Sequence, residues 1–66
     1  MMRLWKVEIR EYYFEISYYN LFVLSDTEKN MLRTVHQHFI TNCKDVESKI
    51  IKYEEINLKE HINRVL

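Results

Sequence analysis

The chain is 66 residues long and balances ten Lys and Arg against ten Asp and Glu, for a formal net charge of zero. At that length it is read as a single domain, 1–66, close to the lower limit at which one core holds without a metal or a disulfide. The even charge disfavours a polybasic arm for nucleic acid, the lone Cys43 leaves no partner for an internal disulfide, and no apolar run reaches the length of a membrane span. Residues 1–6 also lack the apolar stretch of a signal peptide, so a cytoplasmic location is expected. A small core gives self-association weight from the outset, because a second copy would add buried area.

The first element is an alternating strand, about residues 3–11. Trp5, Val7 and Ile9 share one parity, with Lys6, Glu8 and Arg10 between them, the pattern of a half-buried strand. A second strand follows at about 14–24, where Phe14, Ile16, Tyr18, Phe22 and Leu24 share a parity broken only by Asn20. A reversal near Tyr12 to Glu15 would set Ile9 opposite Tyr18 and Trp5 opposite Phe22. No residue there tolerates positive φ well, and Tyr19-Asn20 is the alternative turn. With no Gly in the chain, Asn is the natural candidate for left-handed positions.

Ser25-Asp26-Thr27-Glu28 reads as a capping box, so a helix is predicted over about 26–42. Met31, Leu32, Val35 and Phe39, with Cys43 next in the series, fall on its inner face, and Asn42 is the expected left-handed stop. Residues 46–65 suit either one long helix or a strand followed by a helix. The run Ile50-Ile51-Lys52-Tyr53 and a second capping box at Asn57-Leu58-Lys59-Glu60 favour a strand at about 49–56 and a short helix at about 58–65. The expected fold is α+β, β-β-α-β-α: a small antiparallel sheet with one main helix on one face.

No arrangement of residues suggests catalysis. His36 and His38, two apart on a helix, point about 200° from each other and cannot chelate one ion together. Cys43 lacks the base and electropositive setting of a nucleophile and reads as a small apolar filler. Glu54 and Glu55 adjoin on a strand and so point to opposite faces, with no pocket to separate their pKa values. There is no phosphate-cradling loop and no CxxC. Neither enzyme activity, nor a metal, nor a cofactor is expected.

The hairpin's other face is more informative. If Trp5, Val7 and Ile9 face the helix, then Leu4, Tyr19, Leu21 and Val23 point away from it. Together with Tyr13 these form the expected partner-binding patch, since apolar residues grouped on an outer face mark association sites. The alternative is burial of this face by the C-terminal helix. The partner expected is a protein, either foreign or a second copy in a homodimer, and no membrane is expected. A single-stranded nucleic acid is the disfavoured alternative, with Trp5, Tyr13 and Tyr19 stacking on bases and Lys6, Arg10, Lys49 and Lys52 meeting phosphates.

The absence of Gly, Ala and Pro, whose codons begin with two G or C bases, points to an AT-rich gene such as those of low-GC bacteria and their phages and plasmids. The run Trp5-Lys6-Val7-Glu8-Ile9, the strand ending Phe22-Val23-Leu24, the capping box and Glu54-Glu55-Ile56-Asn57-Leu58 resemble small phage and conjugative-element proteins of the DpnD/PcfM-like kind. The resemblance implies a mobile-element origin and no particular site. It leads to the expectation of a small protein that binds and occludes a host enzyme or defence complex, as an anti-CRISPR-like inhibitor would, with a structural homodimer component as a further alternative.

Overall fold

The computed structural model describes residues 2–42 and 46–57. Strand β1 (Arg3–Tyr12), strand β2 (Ile16–Ser25), helix α1 (Glu28–Asn42) and strand β3 (Glu47–Ile56) follow in that order. The sheet is antiparallel with β1 in the middle, in the order β2-β1-β3. The architecture among the described residues is therefore β-β-α-β, which corrects the expected β-β-α-β-α. The short helix expected at about 58–65 lies outside the described residues.

A loop of Tyr13, Phe14 and Glu15 joins the first two strands, and the pair Tyr12 and Ile16 closes it. The Tyr13 amide donates to the Glu15 carbonyl at 3.2 Å, and Phe14 adopts φ 46°. A left-handed backbone costs a residue with a Cβ about 1–2 kcal/mol. The expectation that an asparagine would hold such a position is corrected: among the described residues Phe14 is the one with positive φ, and Asn42 is the last residue of α1.

Loop length sets the register. Trp5 stands opposite Val23, Val7 opposite Leu21 and Ile9 opposite Tyr19, one residue away from the expected pairing of Trp5 with Phe22 and Ile9 with Tyr18. A one-residue slip turns every side chain of β2 over. The observed choice keeps Asn20 out of the core, where its amide would need buried partners. It sends Val23 inward, with Tyr19 and Leu21 packed against the core, and Ile16, Tyr18, Phe22 and Leu24 outward.

Helix α1 starts at Glu28, two residues after the expected start at Asp26. Ser25 is still paired with Arg3 at the end of β2 and is buried, and its hydroxyl donates to the Thr27 carbonyl at 3.0 Å. The capping role passes to Thr27, whose Oγ1 accepts from the Asn30 amide at 3.1 Å. The Asn30 side chain donates in turn to Asp26 at 2.8 Å, which holds the Asp26 carboxyl below its ordinary pKa. The first helical bond runs from the Met31 amide to the Thr27 carbonyl.

The core lies between α1 and one face of the sheet. Trp5, Val7 and Ile9 of β1, Val23 of β2, and Met31 and Val35 of α1 are its buried apolar residues. Tyr19, Leu21, Leu32, Phe39 and Ile50 pack around them. At roughly 2 kcal/mol for each large side chain removed from water, so few residues make a marginal core. β3 contributes to this face through a bulge: Glu8 pairs with Lys52 and Ile9 with Ile50, so Ile51 is the extra residue. The insertion switches parity, allowing both Ile50 and Tyr53 to face the helix.

Above Trp5 the sheet is closed by a polar clasp. Arg3 holds Glu55 with two hydrogen bonds, of 2.8 and 2.6 Å, and its guanidinium lies 4.7 Å from the Trp5 ring centroid. The Trp5 indole N–H reaches the Ser25 carbonyl at 3.4 Å, and the Tyr53 ring meets Trp5 edge-on at 6.3 Å. Glu28, in the first turn of the helix, lies near the Tyr53 hydroxyl and raises its pKa.

Candidate interaction surface

Period-two alternation on three aligned strands gives the sheet a second face, opposite the helix, and the register sets its rows. Leu24, Leu4 and Ile56 lie side by side at one end. Next come Phe22, Lys6 and Glu54, then Asn20, Glu8 and Lys52, then Tyr18, Arg10 and Lys49, and finally Ile16, Tyr12 and Glu47. Of the expected patch, only Leu4 lies on this face. Tyr13 sits exposed in the hairpin loop, its ring 4.4 Å from that of Phe14.

Tyr19, Leu21 and Val23 require correction. The register places all three on the helix side, where Val23 is buried and Tyr19 and Leu21 pack on the core. The Tyr19 hydroxyl approaches His38 Nε2 at 3.3 Å, and His38 Nδ1 meets the Asn42 amide group at 3.2 Å, so one histidine links the helix end to the sheet edge. The outward residues that the sequence reading missed are Ile16, Tyr18, Phe22 and Leu24, which are 55, 61, 58 and 61% exposed. The available signal was Asn20, the one polar member of their parity set, which suits an open face better than a core.

Charges on the open face are mostly matched across strands. Lys6 stands opposite Glu54 and Glu8 opposite Lys52, the latter pair 3.9 Å apart. Arg10 and Lys49 break the pattern by standing directly opposite each other, an arrangement that destabilises a sheet unless an anion lies near. Tyr12, Ile16 and Glu47 join them around a shallow concavity. The face thus has an apolar end, a neutralised middle and an end where Arg10 and Lys49 outnumber Glu47 beside the Tyr12 and Tyr18 rings.

Of the residues considered for nucleic acid, Trp5 is buried and Tyr19 faces the helix, whereas Lys6, Arg10, Lys49 and Lys52 all stand on the open face. His36 is exposed on α1, and among the described residues no three His, Cys, Asp or Glu side chains converge as metal ligands would. Cys43 lies outside the described residues. No helix among them is long and apolar enough to cross a membrane.

No protein-family model matches this chain, and no curated protein or solved structure matches it.

Proposed function

We propose that this chain is a small mobile-element protein that acts by binding another protein through the open face of its sheet, occluding a surface of a host enzyme or defence complex. The observation that carries this reading is the exposure of Ile16, Tyr18, Phe22 and Leu24 together on one face, since clustered apolar exposure marks association surfaces. Arg10 and Lys49 against Glu47 leave this end of the face with one net positive charge, which favours a partner that presents a carboxylate beside an apolar surface. The absence of Gly, Ala and Pro, which points to an AT-rich gene, supports the bacterial, mobile-element setting.

A tagged pull-down from low-GC bacterial lysate, with a nuclease-treated control, tests the reading. A stoichiometric protein that survives nuclease and is lost from the Phe22→Asp/Leu24→Asp variant is the expected result. Capture that is unaffected by this variant assigns the interaction to another surface and overturns the reading.

One observation favours a second reading, in which the face binds a single-stranded nucleic acid. Lys6, Arg10, Lys49 and Lys52 share the open face with Tyr12, Tyr18 and Phe22, a combination of backbone-tracking cations and stacking rings. Glu8, Glu47 and Glu54 on the same face oppose it. Fluorescence anisotropy with mixed oligonucleotides at low salt decides, and no binding at about tens of micromolar removes this reading.

A further inference from the structure

We infer that the outer edge of β2 pairs with the β2 edge of a second copy, antiparallel about Asn20, to give a continuous six-stranded sheet. This interface forms along a strand edge and sets the open faces of two copies side by side without covering them, so it stands apart from the partner reading above. The two edges of the sheet are built differently. β3, at one edge, carries Glu47, Lys49, Lys52, Glu54 and Glu55 and is bent by the bulge at Ile51, the devices that protect an edge from pairing. β2, at the other, is ten residues long, contains no charged residue and no proline, and follows one unbroken register. Among the described residues it has a strand neighbour on one side only.

The strand also matches itself. Two-fold antiparallel pairing requires some residue to meet its own copy, which leaves both helices on the same side of the joined sheet. With Asn20 on the axis, Tyr18 meets Phe22 and Ile16 meets Leu24 of the second copy on the open face, while Tyr19 meets Leu21 on the helix side. Ser17 meets Val23, the remaining pairs are apolar or aromatic, and Asn20 with Asn20 can exchange amide hydrogen bonds. Centring on Leu21 instead would put Asn20 against Phe22. Burial points the same way: among the described residues Val7 of β1 is fully covered while its β2 neighbour Leu21 is only half-buried, and a second copy would add cover there.

Sedimentation equilibrium on the intact chain, repeated with Asn20→Lys, is the first test. The wild type is expected at twice the 8.3 kDa chain mass, and Asn20→Lys, which places two lysines opposite each other on the axis, at the single-chain mass with unchanged circular dichroism. The register is tested by cross-linking in a Cys43→Ser background. Paired positions in an antiparallel ladder lie about 4.5–5.5 Å apart, within disulfide range, so Asn20→Cys is expected to form an interchain disulfide on mild oxidation. Phe22→Cys alone should not, whereas an equimolar mixture of Tyr18→Cys and Phe22→Cys chains should. A wild type that remains a monomer up to high micromolar concentration overturns the inference, as does a dimer that fails to cross-link through Asn20→Cys.

Discussion

Ile9 and Tyr19 stand directly opposite each other beneath helix α1, and this pairing decides which half of β2 reaches solvent. With Tyr19 inward, Leu21 and Val23 follow it, while Tyr18, Phe22 and Leu24 are turned outward. Substitutions on the two parities should therefore separate cleanly. In the Asn20→Lys background, expected to stay a single chain, Phe22→Asp is expected to cost no more than about 1 kcal/mol, the span of strand preferences, and Leu21→Asp about 1–3 kcal/mol. Urea denaturation of both variants checks this, and equal losses would count against the register.

The hairpin loop holds a removable strain. Phe14 is 88% exposed and left-handed at φ 46°, so Phe14→Asn, which tolerates that conformation, should stabilise the chain by about 0.5–1 kcal/mol. A rise in the denaturation midpoint with an unchanged slope is the expected outcome. A fall would show that the contact between the Tyr13 and Phe14 rings outweighs the backbone cost.

Helix initiation depends on Thr27. Thr27→Ala removes the acceptor for the Asn30 amide and is expected to cost about 1 kcal/mol, with Thr27→Asp largely neutral. Thermal melts by circular dichroism compare the two. In the core beneath, Met31→Ala should cost about 2–5 kcal/mol, enough to unfold most of a domain this small.

The clasp gives stability a dependence on pH at both ends of the range. Arg3 holds the Glu55 carboxyl below its ordinary 4.5, so its contribution is present above that value and lost as pH falls through the lower folded-state pKa. The advantage of wild type over Glu55→Gln in unfolding midpoint should narrow on acidification. The Tyr53 phenol, raised above 10.0 by Glu28, behaves oppositely: its contribution is complete below 10.0 and is lost as pH rises through the higher folded-state value. Tyr53→Phe should lose the alkaline dependence, and a limb that persists in this variant would assign it elsewhere.

Much of the fold was legible because β1 alternates without ambiguity: Lys6, Glu8 and Arg10 fix the inward side as Trp5, Val7 and Ile9. β2 carries apolar residues on both parities, so periodicity could not orient it. The deciding facts were a loop length and the polar Asn20, and the expected patch of Tyr19, Leu21 and Val23 failed there while Leu4 and Tyr13 remained at the surface. The helix start was displaced because Ser25 belongs to the sheet, a pairing that no local motif reveals. β3 was legible as a strand at about 49–56 and is observed from Glu47. Its bulge was not, since an inserted residue becomes visible only against a partner's register.

That bulge also limits how far the molecule can assemble. A sheet with two receptive margins could recruit copies without end, as fibrils do, whereas among the described residues Ile51 and the charged side chains around it blunt the β3 margin of this sheet. In the inferred dimer the β2 margins are paired with each other, and the outer margins of the joined sheet are the two charged, bulged β3 strands. The inserted residue in β3, which serves locally to bring Ile50 and Tyr53 to the same side, would act at the scale of that inferred assembly as a chain terminator.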